Sequence, residues 1–200
     1  MWKPTHRKIF VSHCAKRASV AKEFQMLVRK HQFRNKGEAP MPNVFVSSDP
    51  DSIASGEPWL EAVLRSLDNC TDFVALIAEP EDWKSLWIPF EAAYFMGRQC
   101  GLTQHDEKLK HYEKRPQIFV FGQLIESAAF PLSGLHLIDT RDSSRVQDAM
   151  LDMEVGPWTD DGECKKDFTA FFQKRCGRRG IWPMVVSKMR SCFPPSVPSS

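Results

Sequence analysis

Glycine-rich phosphate-binding loops are missing from this sequence. It contains neither G-x-G-x-x-G nor G-x-x-x-x-G-K-S/T, and the first predicted strand is followed by SHCAKRAS. This excludes the dinucleotide-binding Rossmann enzymes and the P-loop nucleotide hydrolases. A phospho-acceptor receiver domain needs acidic residues after its first strand and an aspartate ending its third, but residues 12–14 and 78–80 read SHC and AEP. A G-x-S-x-G motif is absent too, which excludes the serine enzymes of the α/β-hydrolase type.

Long apolar runs and a strong charge imbalance are missing as well. The 27 lysine and arginine residues against 25 aspartate and glutamate residues give a formal net charge of +2. This balance gives no reason to expect direct nucleic-acid binding. The longest strongly apolar stretch, residues 73–78, is far shorter than the roughly 18 residues that a membrane span needs. The N-terminal MWKPTHRK lacks the apolar segment of a secretory signal, so we expect a cytoplasmic protein without a membrane span.

The six cysteines are scattered, and no C-x-x-C pair occurs. In a chain without a visible secretory signal, this pattern indicates reduced thiols and not a disulfide framework. The histidines also lack the spacing of zinc ligands, since His13 stands beside Cys14 and both His105 and His111 fall in a charged segment. We therefore expect neither a metal site nor a bound cofactor.

Five short apolar runs are present, and they are rich in β-branched and aromatic residues. Most do not alternate polar with apolar residues, which is typical of strands buried on both faces of a parallel sheet. Between the runs, apolar residues recur at helical spacing, as at Leu60, Val63 and Leu67. This alternation predicts right-handed βαβ units and an open, doubly wound α/β sheet. The runs cover residues 8–12, 43–47, 72–78, 117–121 and 135–138.

The alternation ends near residue 154, which divides the chain into an α/β domain at residues 1–154 and an extension at residues 155–200. Apolar residues at helical spacing predict two amphipathic helices in the extension, and its closing PPSVPSS has the composition of a linker. The extension is also basic, which leaves two interpretations open: helices docked on the domain with a solvated face, or a surface for a partner or polyanion. The predicted helices carry Phe168, Phe171 and Phe172, and Ile181, Val185 and Met189.

Trp87 and Glu91 form a W-x-x-x-E pattern in the helix predicted after the third strand. Residues four apart share one helix face, and side chains lean toward the helix N-terminus. Glu91 is therefore expected to tilt toward the crevice at the carboxyl ends of the strands, where open α/β sheets bind ligands. A carboxylate among apolar residues needs a reason, because burial of an unpaired charge is costly. By itself the pattern is weak, since a residue at the core edge can also reach solvent.

Three segments together resemble the Toll/interleukin-1 receptor (TIR) domain family, and in particular its prokaryotic members. They are IFVSH, VFVSSDPDSIASGEPWLEAVLRSL and DFVALIAEPEDWKSLWIPFEAAYFMGRQ, which contain the first three strands and the helices after the second and third. The most specific parts are the loop-to-helix segment at residues 49–59 and S-x-W-x-x-x-E at residues 85–91. The order and type of the predicted strands and helices agree with this family over about residues 8–154. The resemblance does not include the extension.

The resemblance implies a flavodoxin-like three-layer sandwich with a five-stranded parallel sheet, followed here by a C-terminal helical extension. In catalytic members it also implies cleavage of the nicotinamide–ribose bond of NAD+, which is a substrate and not a cofactor. The family uses one glutamate on the third helix, and this glutamate maps onto Glu91. The loop at residues 47–59, called the BB loop below, is implied to shape the NAD+ pocket and to mediate self-association, through residues 49–59 here.

The residues implied to contact the nucleotide lie in the first two strand-to-helix loops and on two tryptophans. They are Ser12, His13, Lys16, Ser48, Asp49, Trp59 and Trp87. Lys16 and its neighbour Arg17 are candidates for the pyrophosphate, and the alternative is a solvated helix start. Trp59 or Trp87 is a candidate to stack on nicotinamide or adenine, and the alternative for either ring is packing in the core.

The sequence departs from the family pattern at two places, and a proline stands near the start of the predicted catalytic helix. Several members carry an acidic residue directly after the second strand, where this chain has Ser47 and Ser48. Many have an aromatic residue early in the first loop, where this chain has His13. Pro89 falls in the first turns of the predicted catalytic helix, so we expect that helix to start late or irregularly.

Cleavage of the nicotinamide–ribose bond requires only one carboxylate. An N-glycosidic bond to a positively charged pyridinium needs little acid assistance, because the leaving group departs neutral. Positive charge then develops on the ribose, as in glycoside hydrolysis, and one carboxylate can stabilise it. We expect an NAD+ glycohydrolase whose product is ADP-ribose or a cyclic ADP-ribose isomer, two alternatives that the sequence leaves open, with an antiviral immune role by resemblance. One alternative is a non-catalytic TIR adaptor that acts by TIR–TIR assembly, and another is the effector part of a larger sensor protein.

Overall fold

A five-stranded parallel sheet lies at the centre of the protein. The computed structural model describes residues 7–31, 43–49, 53, 55–105, 116–121, 135–156, 158–159 and 162–176. The strands are β1 (Lys8–His13), β2 (Asn43–Val46), β3 (Asp72–Ile77), β4 (Gln117–Val120) and β5 (His136–Asp139). They pair in the order β2-β1-β3-β4-β5, and all four pairs are parallel. The predicted strands are confirmed, each with its ends shifted by one residue at most.

Helices cover both faces of this sheet. They are α1 (Ala18–His31), α2 (Trp59–Asn69), α3 (Trp87–His105), α4 (Ser143–Asp152) and α5 (Glu163–Cys176). Residues of α1, α4 and α5 form one apolar core with one face of the sheet, and residues of α2 and α3 form a second core with the other. The architecture is a flavodoxin-like three-layer sandwich with an additional C-terminal helix, as predicted.

The strands are apolar without alternation because both of their faces are covered. All six residues of β3 are buried. Val74 and Leu76 point into the core of α1, whereas Phe73 and Ile77 point into the core of α2 and α3. Each large apolar side chain buried in this way contributes about 2–3 kcal/mol to folding. Two-sided burial of the central strands holds their carboxyl ends at fixed positions.

Helix α3 begins at Trp87, so Pro89 lies within its first turn. Proline is tolerated there because the first backbone N–H groups of a helix have no partner inside the helix. The Phe90 backbone N–H already donates to the Leu86 carbonyl oxygen at 3.3 Å. The expectation of a late or irregular start of this helix is therefore wrong.

The C-terminal extension contributes to the core of the α/β domain. Phe168 and Phe171 of α5 contact the Phe24 ring of α1, with ring centroids 5.9 Å apart in both pairs. Phe172 stacks on Phe119 of β4. The first predicted helix of the extension is thus confirmed as a helix docked on the domain. The second predicted helix and the PPSVPSS tail lie outside the described residues.

Within the described ranges, every helix falls short of the length and apolarity that crossing a membrane requires. The cysteines Cys14, Cys70 and Cys164 carry free thiols. Burial raises the pKa of the Cys70 thiol to about 12, so this thiol stays protonated and unreactive at neutral pH. In the same part of the chain, no group of three or more His, Cys, Asp and Glu side chains is arranged to hold a metal ion.

Candidate functional site

The carboxyl ends of β1, β2 and β3 meet at one edge of the sheet, and several predicted site residues gather there. Ser12 and His13 end β1, and Ser48 follows β2. Helix α1 packs on one face of the sheet and α3 on the other. The connection from β1 to β2 therefore runs over one face of the sheet, and the connection from β3 to β4 runs over the other. The crevice that opens between β1 and β3 at such a switch point is the usual ligand site of an open α/β sheet.

Glu91 lies in the second turn of α3 and is only 2% exposed. The neighbouring Ile88 and Ala92 pack in the core beneath β1 and β3, which turns this helix face toward the sheet. The Ser12 hydroxyl donates a hydrogen bond to Glu91 Oε2. This bond joins the carboxyl end of β1 to the start of α3.

The carboxyl group of Glu91 has a strongly altered acidity. Burial raises the pKa of Glu91 to about 7, and the hydrogen bond from Ser12 opposes that rise. At neutral pH the acid and the carboxylate forms of Glu91 are therefore both populated. A carboxyl group with its pKa near the working pH can exchange a proton or stabilise a developing positive charge.

His13 connects the ends of two strands beside this carboxyl group. Its Nε2 atom lies 2.7 Å from Ser48 Oγ, which joins the end of β1 to the first residues of the BB loop. Burial lowers the pKa of the His13 imidazole, so the ring is neutral at physiological pH. The histidine that replaces the expected aromatic residue thus acts as a neutral hydrogen-bonding partner.

Asp49 is engaged in contacts with α1. Its carboxylate is buried, with Oδ2 2.8 Å from Lys22 Nζ and 3.3 Å from Gln25 Nε2. Gln25 also donates to the Val44 carbonyl oxygen at 2.8 Å, so the group connects α1 to β2. A nucleotide contact from Asp49 would have to replace these bonds. The position of Asp49 favours a role in holding the start of the BB loop.

The described part of the BB loop comprises residues 47–49, 53 and 55–59, and the remaining residues of the loop lie outside the described ranges. Trp59 Nε1 donates to the Ser47 carbonyl oxygen at 3.0 Å and links the two ends of the loop. Gly56 has φ +81°, a left-handed conformation that glycine adopts without steric cost. The loop therefore begins and ends on fixed contacts beside the crevice.

Trp59 and Trp87 form an exposed aromatic pair near Glu91. Their side chains are 41% and 44% exposed, and their ring centroids lie 4.8 Å apart at an interplanar angle of 88°. The alternative prediction, that these rings pack in the core, is therefore wrong for both tryptophans. Exposed, mutually supported rings can stack on a planar ligand, because such stacking needs an accessible ring face.

Arg17 and Asp82 form a contact that the sequence analysis missed. Arg17 Nη2 lies 2.8 Å from Glu79 Oε2, and Arg17 Nε donates to Asp82 Oδ1 at 3.3 Å. Asp82 in turn accepts the backbone N–H groups of Ala78 and Glu79, both at 2.9 Å. Arg17 is thus committed to the loop after β3, whereas Lys16 is exposed and remains the candidate for a pyrophosphate.

A local signal for this loop was present in the sequence. Glu79 and Asp82 are three residues apart around Pro80, which is the pattern of a capping box at a helix start. They begin a 3-10 turn, Pro80–Lys84, that leads into α3. The partner Arg17 could not be found in this way, because its contact with Asp82 spans 65 positions of sequence.

The structure brings Ser12, Glu91, His13 and Ser48 into two adjoining hydrogen bonds at the ends of β1 and β2. The chain matches no model of a known protein family and none of the curated proteins. A functional interpretation therefore depends on the geometry of these residues and on the sequence motifs described above.

Proposed function

We propose that this protein is a TIR-domain NAD+ nucleosidase that cleaves the bond between nicotinamide and ribose. The observation that supports it is Glu91, a buried carboxyl group at the carboxyl edge of the sheet that accepts a hydrogen bond from Ser12 and has a pKa of about 7. Burial makes a carboxylate more effective at stabilising a positive charge, because fewer water molecules screen it.

In the proposed reaction, the bond between ribose C1′ and the pyridinium nitrogen breaks. Both electrons leave with nitrogen, so the positively charged ring departs as neutral nicotinamide. The positive charge moves to the ribose, and the ionised Glu91 stabilises it across the short distance to the sugar. Attack by water at C1′ releases ADP-ribose and one proton. Attack by an adenine nitrogen instead gives a cyclic ADP-ribose isomer.

The other site residues have supporting roles in this proposal. Ser12 orients Glu91 and favours its ionised form, because the Ser12 hydroxyl donates to the carboxylate. Trp59 and Trp87 offer exposed rings for a base, and Lys16 offers an exposed ammonium for the pyrophosphate. Antiviral defence in the cytoplasm and assembly through the BB loop are parts of the proposal that depend on the family resemblance alone.

The burial of Glu91 also constrains the proposed mechanism. Because Glu91 is 2% exposed, a ribose can reach it only after neighbouring side chains move. Ser12 borders this path because it contacts Glu91, and the adjacent His13 contacts Ser48. Catalysis should thus require movement of the Ser12 side chain.

Substitution of Glu91 tests the proposal. We expect Glu91→Gln to abolish nicotinamide release, measured at high protein concentration so that assembly can occur, because the neutral amide cannot stabilise an oxocarbenium ion. The matched control is Glu61→Gln, which changes an exposed glutamate on α2 and should retain full activity. Equal nicotinamide release from the wild type and Glu91→Gln, or none from the wild type, would refute the enzymatic function.

A second candidate function is a TIR adaptor without catalysis. The exposed Trp59 and Leu60 at the end of the BB loop favour it, because exposed large apolar residues mark interaction surfaces. This function would need no ionised carboxylate at position 91. A wild type that assembles but consumes no NAD+ would support the adaptor over the enzyme.

A further inference from the structure

The outer face of α3 is apolar although it is exposed to solvent. Leu86, Trp87, Phe90 and Met96 are 86%, 44%, 45% and 38% exposed. From residue 86 to residue 97 the sequence reads LWIPFEAAYFMG, and its only acidic or basic residue is the buried Glu91. An exposed helix normally carries charged residues on its solvent side, so this face lacks the usual polar covering.

Helical geometry separates this face from the buried side of α3. Trp87, Phe90, Ala93 and Gly97 are spaced by three, three and four residues, and all four are exposed. The buried residues Ile88, Glu91, Ala92 and Phe95 occupy the other half of the helix circumference, and Glu91 lies next to Trp87 at the border between the two halves. We call the exposed residues 86, 87, 90, 93, 96 and 97 the α3 outer face. It covers about half of the helix circumference, with Leu86, Phe90, Ala93 and Gly97 along its centre and Trp87 and Met96 at its two edges.

The exposed area of this strip approaches that of a dimer interface. From their exposed fractions, its four large side chains leave on the order of 500 Å² of apolar surface in water. A standard interface buries about 800 Å² on each partner, and in homodimers about 65% of it is apolar. The strip alone is therefore large enough to form the apolar centre of such an interface.

The small residues in the strip permit close approach of a second helix. A Cβ atom at Gly97 would meet nothing within 4 Å, so the space above this residue is open. Ala93 precedes it by one helical turn and is also exposed. In an antiparallel pair of helices whose two-fold axis passes between Ala93 and Tyr94, Phe90 of each copy lies opposite Gly97 of the other, which places a large side chain against a small one.

Charge also favours a second copy of the chain as the occupant. A symmetric interface sets the same surface against itself, so any charge in its centre would meet a like charge. The α3 outer face has none. The flanking Arg98 donates to the carbonyl oxygen of Cys70 at 2.6 Å and to that of Asp68, and Tyr94 donates to Asp68 Oδ1 at 2.8 Å. These flanking polar groups are thus directed to α2 and its C-terminal end.

From these observations we infer that the α3 outer face forms a symmetric homodimer by packing against the same face of a second copy. The interface borders the proposed stacking site for a base at its edge residue Trp87, which contacts Trp59, and it is otherwise separate from the assembly attributed to the BB loop. The inference does not depend on NAD+ cleavage, because its measurement is the mass of the particle in solution.

Sedimentation velocity of the full chain at concentrations up to about 100 µM tests this inference, since standard-size interfaces reach micromolar affinity or better. We expect the wild type to form dimers and Ala93→Arg to weaken dimerisation at least about 100-fold, because two like charges would be buried together. Ala93 is exposed, so the variant should keep the wild-type circular dichroism and melting temperature. The control Met26→Arg changes an exposed apolar residue of α1 and should still form dimers.

A charge-pairing experiment identifies the partner as a second copy. Ala93→Arg and Ala93→Glu should each be monomeric alone and form a mixed dimer when combined, because opposite charges then meet near the symmetry axis. Gly97→Glu is a second disrupting variant in open space, in case Ala93→Arg fails to fold. A monomeric wild type, dimers that persist in both disrupting variants, or no mixed dimer would each overturn the inference.

Discussion

Glu91 and Ser12 combine burial, a raised pKa and a direct hydrogen bond within one pair of side chains. The sequence predicted that Glu91 tilts toward the carboxyl ends of the strands, because helical side chains lean toward the helix N-terminus. It did not predict that Ser12 would be the direct partner, since the two residues are 79 positions apart. Such a contact depends on how β1 and α3 pack, which local spacing does not encode.

The ionisation of Glu91 should control the pH dependence of activity. Under the proposed function, nicotinamide release should rise with pH through about 7, where Glu91 becomes ionised. In Ser12→Ala the rise should shift to higher pH by roughly one to two units, because the lost hydrogen bond to a charged group is worth about 1.5–3 kcal/mol. The measurement is kcat/KM against pH for both proteins. A uniform loss of activity with an unchanged profile would contradict the role of Ser12.

The raised pKa of Glu91 also predicts a pH-dependent stability. Between pH 4.5 and about 7 the folded state keeps a proton that the unfolded state loses, so the free energy of unfolding falls as pH rises through this window. The loss is complete above about pH 7 and amounts to about 3 kcal/mol.

Melting temperatures test this stability effect. From pH 5 to pH 8, the melting temperature of Glu91→Gln should rise relative to that of the wild type by roughly 10 °C. Glu61→Gln serves as the control and should show no such gain. Parallel pH dependences of the wild type and Glu91→Gln would contradict a buried, titrating Glu91.

The sequence predicted the positions of the strands better than it predicted which side of each helix is exposed. Runs of β-branched and aromatic residues identified all five strands because two-sided burial leaves a continuous apolar signal. Helix α3 was different, since it is apolar on nearly all sides and such a sequence normally indicates a buried helix. Its exposure became evident only from the structure, and the same holds for Trp59 and Trp87.

Helix α5 should be required for the stability of the α/β domain. Phe168 is fully buried against Phe24 and Trp158, so Phe168→Ala should lower the free energy of unfolding by about 3–5 kcal/mol. Urea denaturation followed by circular dichroism measures this change, with the exposed Lys166→Ala as control. A cost below about 1 kcal/mol would show that α5 is an accessory to the domain and not a part of its core.

At the scale of the whole molecule, the division of the chain at residue 154 marks a change in sequence pattern. The strand and helix alternation stops there, yet Val155 and Phe168 belong to the same apolar core as Val11 and Val74. Sequence periodicity identifies elements and their order, but it does not reveal which later helix fills the remaining space beside α1. That space is occupied by the three phenylalanines of α5.

The two edge strands, β2 and β5, are each four residues long. Short edges offer few free backbone groups for adding another strand, so they resist the sheet-to-sheet growth that leads to fibrillar aggregates. Copies of this protein should therefore join through side-chain surfaces in preference to sheet edges. Any higher-order particle should accordingly stay negative with amyloid dyes.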